Sequence, residues 1–95
     1  MRLLLALLLI ASLAACGPIQ STSALVEADV EIEAARAAGA ATTATYEFIS
    51  AEAYLWKARE EVGYAQYELA ADFAAKARDV AKEARKKALE TRTSP

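Results

Sequence analysis

The sequence predicts an all-α fold: an antiparallel up-down-up three-helix assembly whose second and third helices form an alanine-rich hairpin. Three observations carry that expectation. Apolar residues recur at spacings of three and four through three successive segments, the period of one helix face. Gly39 and Gly63 fall where those patterns stop, and Gly favours helix ends. The connections left between the patterns are short, which makes consecutive helices antiparallel neighbours.

The first helix is expected over residues 24–38, with Leu25, Ala28, Ile32, Ala35 and Gly39 along one face. Glu27, Asp29, Glu31 and Glu33 crowd its early turns, where the helix dipole favours negative charge. They read as an exposed, dipole-matched face in preference to a metal site. Residues 39–45 (GAATTAT) form the break: Gly ends one helix, and the clustered Thr weaken its continuation and can cap the next. A second helix covers 46–62, stepping through Phe48, Ala51, Leu55, Ala58 and Val62, and Gly63 ends it. Residues 64–66 make a tight turn or a short kink. The third helix, over 67–91, carries the clearest pattern: Tyr67, Ala70, Ala74, Ala77, Ala81, Ala84 and Ala88 in unbroken alternation.

A seam of methyl groups lets helices approach to the short end of the usual separation of about 8–10 Å. Leu69, Phe73 and Val80 flank that seam, with Tyr46, Phe48, Ile49, Tyr54, Leu55 and Trp56 available opposite. At 1.5 Å per residue the third helix is on the order of 37 Å long and outreaches the second. Its C-terminal part is covered only if the first helix or a partner packs there. Residues 92–95 are a polar tail expected to fray.

With 95 residues the chain holds at most one domain. Eleven basic side chains face thirteen acidic ones, a net charge of −2, which argues against nucleic acid as a partner. There is no His and no Asn, so the commonest acid/base group near neutral pH and the commonest metal ligand are both missing. Alanine dominates the apolar residues, and a core of methyl groups gains only about 0.8 kcal/mol per buried carbon.

The amino terminus reads as an export signal. Arg2 is a short positive region, residues 3–12 are an apolar run of signal-peptide length, and the run is too short to span a bilayer. Leu13-Ala14-Ala15-Cys16-Gly17 then resembles the bacterial lipobox. That resemblance implies diacylglycerol on the Cys16 thiol, cleavage between Ala15 and Cys16, and acylation of the new amine. Two or more acyl chains anchor stably where one is marginal. The alternative is an ordinary secretory signal with a chance Cys; charge, apolar run and lipobox in the right order favour the lipoprotein reading. By the sorting rule for such lipoproteins, the lack of Asp after Cys16 points to the outer membrane, on its periplasmic face. The chain thus divides into a leader (1–15), a lipidated Cys and flexible Pro/Ser/Thr tether (16–23), a helical domain (24–91) and a tail (92–95).

Two surface sets are candidates for interaction. Lys82, Arg85 and Lys86 belong to a basic C-terminal stretch that reads first as a solvated, dipole-matched face. The functional reading is a contact for anionic headgroups or an acidic partner. Tyr54, Trp56, Tyr64 and Tyr67 read first as packing residues beside the hairpin turn, and otherwise as a carbohydrate-stacking patch.

Several segments together resemble a known group: residues 34–40 (AARAAGA), Tyr46-Glu47-Phe48, residues 51–55 (AEAYL) with Lys57-Ala58-Arg59, and Gly63 and Tyr67 with Ala70, Phe73, Ala74 and Ala77. The chain is similar over residues 29–88 to a family of short alanine-rich bacterial lipoproteins catalogued as a domain of unknown function. Relatives often carry Pro ahead of the second helix, where this chain has Thr45, so the helix start is less sharply fixed. In some relatives the module precedes an OmpA-like peptidoglycan-binding domain; this chain ends first, and that activity is not carried over. The resemblance implies no catalytic residues.

The expected role is therefore a lipid-anchored, non-enzymatic helical envelope module that scaffolds or docks, with an envelope protein or a second copy as partner. The alternative is a peptidoglycan or small-ligand binder using the aromatics. No cofactor is expected beyond the covalent lipid on Cys16. Catalysis finds little support: Glu60-Glu61 is the only adjacent carboxylate pair, and helical neighbours point about 100° apart. The C-terminal Thr93-Ser94-Pro95 also lacks the Lys that wall-linked lipoproteins use.

Overall fold

The computed structural model describes residues 1–93, and of residues 12–17 it describes the backbone alone. Cys16 and the Ala15–Cys16 junction thus lie outside the described side chains, and Ser94 and Pro95 outside the described residues. The chain is all-helical, with α1 at Arg2–Ala37, α2 at Ala40–Thr43, α3 at Thr45–Gly63 and α4 at Tyr67–Thr93. No strand occurs among the described residues. The body is slender, measuring 70 × 22 × 14 Å.

The first helix differs most from expectation. It begins at Arg2 and runs unbroken through the stretch read as a flexible tether, with Pro18 inside it. Leu and Ala are strong helix formers, so nothing in the apolar run at residues 3–11 stops it. The hydroxyl residues read as tether and cap bond backward instead. Ser21 and Thr22 each donate to the Pro18 carbonyl, at 3.0 and 2.8 Å, which lets them stay within the helix. Ser21 is buried, and residues 3–10 stand out in solvent.

The break falls where Gly39 predicts it. Gly39 adopts φ +87°, a left-handed conformation that costs a glycine nothing extra. The break is not an open loop, however. Residues 40–43 make one helical turn, because the amides of Thr42 and Thr43 and both hydroxyls donate to the Gly39 carbonyl. The threonines therefore do not cap α3; Thr45 likewise donates back, to Ala41 at 3.0 Å. At the other end of α3 the left-handed residue is Ala65 (φ +57°) and not Gly63. The amide of Gln66 donates to Glu61 and that of Ala65 to Val62, the paired closure of a Schellman motif. An alanine in this position carries a steric cost of about 1 kcal/mol that glycine would avoid.

The core is the alanine seam. Ala70, Ala74, Ala77, Ala81, Ala84 and Ala88 of α4 have no exposed surface. α4 packs on both α1 and α3, while α1 and α3 touch each other less. Ala28, Ile32 and Ala35 enter from α1, and Phe48, Ala51, Leu55 and Ala58 from α3. Leu25 is only partly covered, and Val62 stands half-buried at the seam's end. The end of α4 beyond α3 is covered by the last turns of α1 and by α2, whose Ala40 is buried. α4 also extends past the expected boundary to Thr93, with Thr91 and Thr93 donating back to Lys87, Leu89 and Glu90 carbonyls.

Candidate functional site

Of the two surface sets, the basic one converges. Lys82, Arg85 and Lys86 are three and four residues apart on α4, which puts them on one flank of the helix. With Leu89, Glu90 and Thr93 they line a shallow surface depression of about 430 Å³. Arg85 also reaches Glu31 of α1 at 3.9 Å. Glu31 Oε2 is covered and accepts no hydrogen bond, so this one guanidinium is its nearest compensation. Beside it, Val26, Glu27, Val30, Glu31, Arg78 and Lys82 line a groove between α1 and α4. Arg78 is held more firmly cationic by Asp79, foremost, and by Glu27.

The aromatic set does not converge. Tyr54 stacks on Phe73 of α4, ring centroids 6.4 Å apart, and the Lys76 ammonium lies 5.8 Å from the Tyr54 ring centroid. Trp56 lies two residues on, about 200° around the helix, and is 66 % exposed. Tyr64 is exposed in the turn and Tyr67 half-buried at the start of α4. Of the large groups placed opposite the alanine seam by sequence, Phe48 and Leu55 are buried and Tyr54 partly so. Tyr46, Ile49 and Trp56 face solvent instead.

Sequence reasoning missed three features. Tyr46, Ile49, Ala53 and Trp56 step by three, four and three along the outer face of α3, an exposed apolar stripe. The spacing stands in the sequence beside that of Phe48, Ala51, Leu55 and Ala58, but Tyr46, Ile49 and Trp56 read first as packing groups opposite the alanine seam. Glu61 is buried, and Lys57 donates to Glu60 at 3.0 Å and pairs with Glu61 at 3.3 Å. Adjacent carboxylates that point apart are thus joined by one ammonium, whose pKa Glu60, then Glu61, pushes up. The pattern Lys57-x-x-Glu60-Glu61 was the available signal. Third, Lys87 donates to Glu47, tying the end of α4 to the start of α3.

That last pair sets a pH dependence. The hydrogen bond from Lys87 lowers the Glu47 pKa below its ordinary 4.5, and Glu47 raises Lys87 above its ordinary 10.5. The stability the pair contributes is therefore complete between 4.5 and 10.5. It is lost as pH falls through the lowered carboxylate value or rises through the raised ammonium value. Glu47→Gln should melt earlier than the unsubstituted protein near neutrality, with the gap closing in acid. A gap that stays constant down to strong acid, followed by circular dichroism, would contradict this.

Among the described residues no group of three or more His, Cys, Asp or Glu side chains is placed to hold a metal ion, and no helix is long and apolar enough to cross a membrane. Comparison with protein-family models, with curated proteins and with solved structures finds no match.

Proposed function

We propose that this chain is a lipid-anchored, non-enzymatic interaction module of the bacterial envelope, held by Cys16 on the periplasmic face of the outer membrane. We assign its body an up-down-up arrangement of α1, α3 and α4, akin to the alanine-rich lipoproteins it resembles. The ion pairs support that arrangement. From α1 to α4 the partners climb together, Glu27 with Arg78 and Glu31 with Arg85. From α1 to α3 they run in opposite order, Asp29 with Arg59 and Arg36 with Glu52. From α3 to α4, Glu47 meets Lys87 while Tyr54 meets Phe73, again opposed.

The observation that carries the function is the course of α1, one helix from the lipobox into the body. Glu31, level with Arg85, comes fifteen residues after Cys16, or roughly 22 Å along the axis. With α1 leaving the membrane end-on, the basic patch stands about two Debye lengths from the anchoring leaflet. Its attraction for headgroups there is screened, which favours an acidic protein partner over lipid. Pro18 fits the same reading. In the interior of a helix its ring meets the carbonyl four residues upstream, at a cost of about 3 kcal/mol. Cleavage before Cys16 removes Ala14 and leaves Pro18 in the first turn, where proline is tolerated.

In-cell photocrosslinking from position 86 of α4, followed by mass spectrometry, tests the docking role. The expected product is an adduct with an acidic envelope protein that disappears when Lys82 and Arg85 are both changed to Glu. Recovery of self-linked species alone would replace docking with a homo-oligomeric spacer.

A further inference from the structure

We propose that the outer face of α3 is a parallel self-association surface, and that its occupant is the same face of a second copy of this chain. The stripe Tyr46, Ile49, Ala53, Trp56 lies about 160° around α3 from the buried seam of Phe48, Ala51, Leu55 and Ala58. Tyr46 is 81 % exposed, Ile49 59 % and Trp56 66 %. The spacing of three, four and three is that of the a and d positions of a two-stranded coiled coil. α3 thus has two apolar faces and only one is covered within the chain.

Three features select the occupant and its direction. Ala53 lies between Ile49 and Trp56 on the stripe, and a small residue there makes room for large neighbours across a two-fold axis. Glu52 and Lys57 flank the stripe on opposite sides, five residues apart and opposite in charge. In a parallel pair that spacing sets Glu52 against the partner's Lys57, and the reverse pair forms by symmetry. Within the chain Glu52 pairs with Arg36 at 3.5 Å and Lys57 with Glu60 at 3.0 Å, yet close to half of each side chain stays exposed, so each can share its charge with a second copy. Glu60, which continues the stripe, is already neutralised by Lys57 at 3.0 Å. Finally, two copies anchored in one leaflet by Cys16 are related by an axis along the membrane normal, which aligns their α3 helices in the same direction. This last point rests on the lipid-anchor reading of Cys16.

The face is modest. Two exposed aromatics with Ile49 and Ala53 bury on the order of 400 Å² per copy, about half of what a stable interface provides per partner. Free in solution the pair is weak; sharing a membrane raises the effective concentration enough to populate it.

Cysteine crosslinking in intact envelopes tests this. Tyr46→Cys and Ala53→Cys place thiols at opposite ends of two turns of the stripe, and Ala41→Cys places one on an exposed position off it. Under copper–phenanthroline oxidation both stripe variants should give about tenfold more disulfide-linked dimer than Ala41→Cys, because the membrane concentrates all three alike and only the paired stripe holds the thiols together. Adding Trp56→Ser to the Ala53→Cys variant should remove most of that excess. No excess over Ala41→Cys overturns the surface. Dimer from Ala53→Cys without dimer from Tyr46→Cys means an antiparallel pair and overturns the direction. The unsubstituted chain reports on the anchor separately: Cys16 is its one cysteine, and a dimer band there reveals a bare thiol and removes the basis for the parallel axis.

Discussion

Ala81→Leu should lower the melting temperature by on the order of 10 °C and leave much of the protein unfolded at growth temperature. Ala81 has no exposed surface and sits near the middle of the seam that α4 turns toward both α1 and α3. Methyl groups at six consecutive seam positions allow the helices to pack closely, and three extra carbons find no room between them. Overpacking of this kind costs about 1–3 kcal/mol, and a body of this size holds only a few kcal/mol in reserve. The same substitution at exposed Ala37 keeps the chemistry and removes the crowding, so Ala37→Leu should melt close to the unsubstituted protein. Thermal unfolding by circular dichroism reads both. If Ala81→Leu melted within a few degrees of Ala37→Leu, the seam would have slack, and close helix approach would not be what stabilises the fold.

The alanine seam was legible in sequence because it repeats without interruption over six positions, and every one of them is fully buried. The break at Gly39 was legible because its left-handed backbone suits glycine, whereas the turn at 64–66 was placed from Gly63 although its left-handed residue is Ala65. The start of α1 was not legible, since Ser21, Thr22 and Pro18 favour a cap or tether by composition, whereas in the helix the two hydroxyls donate back to the Pro18 carbonyl. α3 shows a different limit. Periodicity tells which residues share a face but not which face meets the core, and α3 carries two apolar stripes. The stripe read from spacing, Phe48, Ala51, Leu55 and Ala58, is the buried one, and the second stripe stands outside it. The basic patch was readable because Lys82, Arg85 and Lys86 converge through helix spacing alone. The aromatic set was not, because Tyr54 and Trp56 diverge on the helix for the same geometric reason.

Cys16→Ser should abolish acyl labelling and leave the precursor uncleaved, the largest functional effect expected of any single change. The apolar run at residues 3–12 spans about 15 Å as a helix, half the roughly 30 Å hydrocarbon core of a bilayer. No helix among the described residues is long and apolar enough to cross one. On the proposed lipid anchor, attachment of the mature protein rests on acyl chains, at about 0.8 kcal/mol per buried methylene and with at least two chains needed. A serine hydroxyl is a far poorer nucleophile than a cysteine thiolate, so the lipid transfer that licenses cleavage has no acceptor. On the same proposal the uncut variant also keeps Pro18 inside α1 with Ala14 four residues upstream, where a proline ring meets the carbonyl. Growth with radiolabelled palmitate and mass measurement of the purified protein supply the readout. The unsubstituted chain should carry label and begin at residue 16; the serine variant should carry none and retain residues 1–15. Label persisting in the serine variant would place the lipid elsewhere, and an unlabelled wild-type chain would remove the anchor on which the height of the basic patch and the direction of the α3 pair both depend.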